Sequence, residues 1–168
     1  MANTYTLIEG KTLGSAVASV TFSSIPSTYT DIKLVFSARS SFTSDVVTGC
    51  FIRFNSDTTN ANYTYKRLYG NGSAGYSDSS IQSLFINTNN TTANTFTNSE
   101  IYISNYISSN AKSSSLDYVA ENNATEAYVG LAALTWSGTA AINSITITSG
   151  DGNLMINSTF YLYGIKNS

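Results

Sequence analysis

The sequence predicts an all-β protein, an antiparallel β-sandwich of about ten to eleven strands. Three observations support this prediction. Residues that suit a pleated, half-buried surface are abundant, with twelve tyrosines and eight phenylalanines in 168 residues. Patterns of helical period are nearly absent, and short stretches of alternating apolar and polar residues recur between Gly, Asn, Ser and Asp. The length predicts a single domain over 1–168, which buries roughly 70% of its unfolded surface.

Each predicted strand shows this two-residue alternation. In "DIKLVFSAR", for example, Ile32, Leu34 and Phe36 share one face, and Lys33 and Arg39 share the other. In chain order the predicted strands are "YTLIEG", "ASVTF", "DIKLVFSAR", "GCFIRF", "YTYKRLY", "SIQSLFI", "EIYISNY", "SLDYVA", "AYVGLAAL", "INSITIT" and "STFYLYGI".

Three other segments need separate interpretation. "EAYVGLAALTW" is long enough and rich enough in alanine for a helix, but its aromatic and β-branched residues and the internal Gly130 favour a strand. Two long polar loops are predicted at 55–62 and 87–98, and the second is of low complexity, as in flexible or interfacial loops. Residues 1–15 are predicted to form an extended N-terminal arm.

Composition argues against several classes of function. The chain has no histidine and one cysteine, which removes His-dependent triads, most zinc sites and iron–sulfur clusters. No phosphate-binding glycine motif occurs. We therefore expect no enzyme activity, no catalytic residues, no cofactor and no metal. The single Cys50 lies in an apolar run and is predicted to be a small buried side chain.

Charge and hydropathy also limit the partners and the location. The net charge of −2 does not suit nucleic acid, because a phosphate-binding surface must be basic. No apolar run approaches the roughly 20 residues of a membrane helix. The N-terminal residues lack the basic start and apolar stretch of a secretory signal. We expect a chain that folds in the cytoplasm and binds neither nucleic acid nor membrane.

Three ligand-dependent alternatives remain open from the residues alone. Two of the ten acidic residues could meet in space as a hydrolase pair. Oxygen ligands for calcium occur at Asn55, Asp57 and Thr59, and again at Asp151 and Asn153, although an Asx turn also explains both stretches. Aromatic side chains could stack on sugars, and the candidates are Tyr63, Tyr65, Tyr69 and Trp136. Core or interface packing is the competing explanation.

The stretch "RFNSDTTNANYTYKRLYGNG" is predicted to be a strand, a polar loop and a returning strand, followed by a glycine turn. It contains three of the eight positive charges of the chain. We select Arg53, Lys66, Arg67 and Tyr69 as candidate contacts with a partner. Arg53 and Arg67 are expected to pair with acidic residues on neighbouring strands or with a partner subunit.

Several stretches resemble small structural proteins of tailed bacteriophages. These are "VTFSSIPSTYTDIKLVFSAR", "FIRFNSDTTNANYTYKRLYGNGS", "TAAINSITIT" and "INSTFYLYGIK", and together they span nearly the whole chain. The resemblance implies a jelly-roll-like sandwich in a virion protein that is made in the host cytoplasm.

The resemblance leaves two roles open. The first is a capsid cement or decoration protein, a homotrimer on the capsid surface that binds the major capsid protein and stabilises the shell. The alternative is a tail-fibre or receptor-binding module that recognises host surface carbohydrate. The compact domain and the absence of a visible shaft segment favour the cement role.

Overall fold

The structure, a computed structural model, describes residues 4–82, 84–123 and 126–166. Residues 1–3 of the expected arm and Ser83 of one predicted strand lie outside the described residues. The all-β prediction is confirmed. The strands are β1 (Tyr5–Thr12), β2 (Ser19–Phe22), β3 (Asp31–Ser40), β4 (Val47–Phe54), β5 (Tyr63–Gly70), β6 (Gly75–Asp78), β7 (Leu84–Thr88), β8 (Thr97–Ile103), β9 (Lys112–Ala120), β10 (Tyr128–Trp136), β11 (Ile145–Ser149) and β12 (Thr159–Ile165).

Each of the eleven predicted strands overlaps an observed strand, and β6 is the described strand that the sequence patterns missed. It lies in "GNGSAGYS", which was predicted to be only a turn. The turn is shorter than expected, because the side-chain oxygen of Asn71 accepts hydrogen bonds from the backbone N–H groups of Ser73 and Ala74. The chain then pairs at once with β5, and Tyr69 lies opposite Tyr76. The Ala-rich segment is a strand, β10, as predicted.

The strands form two layers that meet along β3. The large layer has the order β1-β12-β3-β8-β9-β10-β5-β6, and the small layer has the order β2-β11-β4-β7. Every described ladder is antiparallel except one: the end of β3 pairs in parallel with β7, joining Arg39 to Asn87 and Ser40 to Thr88. The predicted antiparallel pairing therefore holds for the other described ladders, and this junction is the parallel exception. The sheet is mixed and not closed, which is consistent with a β-sandwich, and jelly-roll connectivity is not confirmed.

The core lies between the two layers and is formed by alternate residues of their facing strands. The hydroxyl of Tyr63 on β5 accepts a hydrogen bond of 2.9 Å from the backbone N–H of Phe54 on β4, which places these two strands face to face. Cys50 is fully buried in this core, as predicted, and burial raises the pKa of its thiol to about 12. Other fully buried side chains include Phe22, Phe36, Ile52, Leu84, Ile86, Tyr118 and Phe160.

The N-terminal segment belongs to the large layer over most of its length. Residues 5–12 form β1, which pairs with β12 from Tyr5 opposite Ile165 to Thr12 opposite Thr159. The register shifts between Leu7 and Glu9, where a bulge lies in this outermost strand. The described part of the expected arm is therefore an edge strand as far as residue 12.

Two buried cations fasten loops to the strands by donating to backbone carbonyls. Arg39 is only 3% exposed, and its guanidinium donates to the carbonyl oxygens of Thr91, Thr92 and Thr95 at 3.0, 2.7 and 2.9 Å. Lys112 is also buried, and its ammonium donates to three carbonyls, those of residues 108, 110 and 140. The polar 87–98 segment is thus strand at both ends and is held at its centre by Arg39.

No helix in the described part of the chain is long and apolar enough to cross a membrane.

Candidate functional site

The outer face of the large layer, which points away from the small layer, has a contiguous group of exposed apolar side chains. Leu131 of β10 lies opposite Leu68 of β5, and Val129 lies opposite Val119 of β9. Their exposed fractions are 63% for each leucine, 58% for Val129 and 47% for Val119. These four residues, the outer strip, line a shallow depression of about 810 Å³. Exposed apolar groups of this kind are typical of contact surfaces.

The outer strip follows from the residues of β10. Alternate residues of this strand point inward, and Leu134 and Trp136 are buried among them. The outward residues are also apolar, namely Val129, Leu131 and Ala133. Sequence reasoning did not identify this strip. The signal was present, however, because a strand with apolar residues on both faces is expected either to be covered on both sides or to bind a partner.

Gly130 lies in the middle of β10, where a side chain would not fit. A Cβ at this position would be 2.4 Å from Cζ of Tyr118, whose ring is fully buried against the strand. A glycine that interrupts a strand often marks such a close approach. The ring of Tyr118 fills the space on the inner face of the sheet at this position. The side chains of β10 that a partner could contact are therefore those on the outer face.

Charged residues flank the outer strip on the same face. Asp117 of β9 lies opposite both Leu131 and Glu100 of β8, which places two carboxylates on neighbouring strands. Lys33 forms an ion pair with Glu100. Limited hydration raises the pKa of Asp117, and the negative charge of Glu100 raises it further. This is one place where two carboxylates lie side by side, as the hydrolase alternative requires, and the absence of enzyme activity stays a prediction.

The four predicted contact residues do not form one site. Lys66 points outward at the end of the outer strip, and its ammonium donates to the hydroxyl of Ser79 at 2.6 Å. Arg67 points inward and forms an ion pair of 2.6 Å with Asp78, which lowers the pKa of that carboxyl. The expectation that Arg67 pairs with an acidic residue on a neighbouring strand is confirmed, because Asp78 belongs to β6.

Tyr69 lies beside Arg67, whose guanidinium carbon is 5.0 Å from the centroid of the Tyr69 ring, whereas Arg53 lies elsewhere. Tyr69 is half-buried, and its ring packs against the rings of Tyr76, Phe85 and Tyr128 with centroids 5.2 to 6.1 Å apart. Arg53 lies on the outer face of the small layer, where it faces Thr146 across the ladder of β4 and β11. Of the four candidates, Lys66 and Arg53 point outward, each on a different layer.

The aromatic residues considered for sugar stacking are mostly in the core. Tyr63, Tyr65 and Trp136 are buried, so core packing, the competing explanation, applies to these three and sugar stacking does not. The indole N–H of Trp136 instead donates a hydrogen bond of 2.8 Å to the carboxylate of Asp57. This bond, together with those from Asn62 and the backbone of residue 59, lowers the pKa of Asp57.

The residues considered for calcium are used within the protein. Asp57 accepts hydrogen bonds from Trp136 and Asn62, and Asp151 accepts one of 2.9 Å from the hydroxyl of Thr48. Among residues 4–82, 84–123 and 126–166, no group of three or more His, Cys, Asp or Glu side chains could hold a metal ion. The Asx-turn interpretation accounts for the 55–62 loop, because Asp57 also accepts from the backbone N–H of Thr59.

No family model, curated protein sequence or solved structure matches this chain.

Proposed function

We propose that this protein is a non-enzymatic structural protein of a tailed-phage virion, which binds the major capsid protein and cements the head shell. The observation that supports the proposal is the outer strip on the large layer. Burial of a fully exposed leucine or valine contributes about 1.5–3 kcal/mol, so each half-exposed side chain of the strip contributes about 1 kcal/mol against a partner. The outer strip gains this free energy only when it is buried against a complementary apolar surface of the assembled particle. Binding that occurs only to the assembled particle stabilises it, and a cement protein acts in this way.

The proposal includes a homotrimer on the capsid surface. Within the described residues, three strands pair on one side only: β1 with β12, β2 with β11, and β6 with β5. Unpaired strand edges favour association with another chain, and a neighbouring copy would cover them. Sedimentation equilibrium of the purified protein tests this part, and a monomer at high concentration would contradict it.

The alternative is a receptor-binding module that stacks sugars on aromatic side chains. It has less support, because Tyr65 and Trp136 are buried and cannot stack on a sugar without unfolding. Immunogold labelling of intact particles with antibody against this protein separates the two roles. We expect label spread over the head in many copies. Label confined to the tail tip, or absent from particles, would contradict the cement role.

A variant tests the part played by the outer strip. Leu131→Ser should weaken binding of the purified protein to heads that lack it, by about fivefold to tenfold, since a contribution of about 1 kcal/mol is lost. Ile156→Ser is the matched control, because Ile156 is similarly exposed at 46% and lies outside the strip. Equal binding of the two variants would exclude the outer strip as the contact surface.

A further inference from the structure

A second cleft lies on the outer face of the small layer, on the side of the molecule opposite the outer strip. It has a volume of about 440 Å³ and lies over β4 and β11 beside the 55–62 loop. None of the residues that line it is acidic. They are Phe51, Arg53, Ser56, Thr58, Asn60, Ile81, Thr146 and Thr148.

Arg53 is the one charged residue in this lining, and its guanidinium is held between aromatic rings. The guanidinium carbon lies 4.6 Å from the ring centroid of Tyr63 and 5.3 Å from that of Phe51. Nη2 donates to the side-chain oxygen of Asn60. Nη1 is buried and has no acceptor among the described residues. Nη2, whose acceptor belongs to an exposed side chain, is therefore the guanidinium nitrogen that a ligand in the cleft can reach.

We propose that this cleft binds the carboxylate of an acidic sugar. The Asn60 side chain is exposed, so it can turn into water and leave Nη2 to the ligand. A carboxylate then accepts from Nη2 in place of the Asn60 oxygen, in a charge-assisted hydrogen bond that is stronger than a neutral one. The two nearby aromatic rings limit the movement of the guanidinium before the ligand arrives, which reduces the entropy lost on binding.

The remaining groups of the cleft suit a hydroxylated ligand. The hydroxyls of Ser56, Thr58 and Thr148 make no hydrogen bond with other described residues, so they are available to sugar hydroxyls. An extended peptide is a poorer fit, because it would need an open strand edge for its backbone groups. Both strands beneath the cleft are already paired on both sides, β4 with β11 and β7, and β11 with β2 and β4.

This inference goes beyond the cement role and does not depend on it. The two surfaces are on opposite layers, and they share no residue. A virion protein could bind the shell through its large layer and present the cleft outward to acidic polysaccharide. The failure of either proposal leaves the other standing.

The test is a titration of ¹⁵N-labelled full-length protein with glucuronate, followed by ¹H–¹⁵N correlation spectra. Glucose serves as the sugar without a carboxylate, and acetate serves as the carboxylate without a sugar. We expect saturable shifts of the Arg53 Nε–H signal and of amides lining the cleft, with a Kd near 1 mM, which is typical of one small site. Glucose should cause no such shifts, and acetate should bind about tenfold more weakly.

Variants assign the binding to the guanidinium. Arg53→Gln should weaken glucuronate binding by about tenfold or more, and Arg53→Lys should weaken it by a smaller factor, because an ammonium keeps the charge but not the planar shape of the guanidinium. Lys166→Gln removes an exposed cation outside the cleft and should leave binding unchanged. The spectra themselves show whether each variant is folded.

Three results would overturn the proposal. Absence of saturable shifts up to about 50 mM glucuronate would exclude a site of this affinity. Unchanged glucuronate binding by a folded Arg53→Gln variant would exclude the guanidinium. Acetate binding as tight as glucuronate binding would show that the hydroxyls of the cleft contribute nothing and that the ligand class is wrong.

Discussion

Replacement of Arg39 by methionine removes the charge that fastens the 89–96 loop and keeps a side chain of similar length. Arg39 is buried, and its guanidinium donates to three backbone carbonyls and to the hydroxyl of Thr95 at 3.1 Å. Burial also lowers the pKa of this guanidinium. The variant removes the guanidinium donor from all three carbonyls, so the loop should open and water should hydrate them.

The magnitude follows from the contacts that are lost. Each hydrogen bond from a charged donor contributes about 1.5–3 kcal/mol net, so the three carbonyl contacts sum to roughly 5–9 kcal/mol. The desolvation of the guanidinium, several kcal/mol, offsets part of this sum. Water also satisfies the carbonyls once the loop opens. We expect a net loss of about 3 kcal/mol in the free energy of unfolding.

Urea denaturation measures this loss, and thermal unfolding should show a Tm lower by roughly 6–12 °C for a chain of this size. Hydrogen exchange should accelerate at the backbone amides of Thr91 and Thr95, which donate to Thr88 and Thr92 within the loop. The Thr92→Ala variant is the control, since Arg39 contacts only the carbonyl of this exposed residue. A methionine variant within about 0.5 kcal/mol of the parent protein would refute the reasoning.

Two further predictions test contacts made by the buried aromatic side chains of Trp136 and Tyr118. The lowered pKa of Asp57 contributes stability that is present above its unfolded pKa of about 3.9 and is lost as the pH falls toward its folded value. The fluorescence of Trp136, the single tryptophan, reports unfolding, and the free energy of unfolding should fall below about pH 4. The fall should be less steep in the Asp57→Asn variant. Equal dependence on pH in the variant and the parent protein would exclude Asp57 as the cause. Gly130→Ala should destabilise by about 1–3 kcal/mol in urea, because the new methyl group meets the ring of Tyr118. Gly75→Ala, where a Cβ meets nothing within 4 Å, should cost nothing, and equal losses would contradict the packing argument.

The strand positions were largely predictable from local patterns. Buried and more exposed positions alternate over residues 32–38 of β3 and along β9, and most of the buried positions are apolar, because successive residues of a strand point to opposite faces. β6 was missed because its four residues, "GYSD", show no such alternation and form a strand only by pairing with β5.

The candidate site was less predictable, because the environment of a side chain depends on distant segments. Arg67 and Lys66 are adjacent in sequence and both basic, yet one is buried against Asp78 and the other points to solvent. Parity along β5 predicts that they face opposite ways. It does not predict which face the small layer covers. The small layer covers the face that carries Tyr65, so this side chain is buried and cannot contact a ligand.

The all-β class, nearly all the strands and the burial of Cys50 are predictable from the amino-acid sequence, because they depend on the two-residue period of a strand and on local hydrophobicity. The parallel junction of β3 with β7, the burial of Arg39 and the exposure of the outer strip depend on contacts between distant segments. Arg39 shares the polar face of β3 with Lys33, as its position in the alternation requires. It is buried because a loop more than fifty residues further along the chain folds over it, and local periodicity contains no information about such a contact.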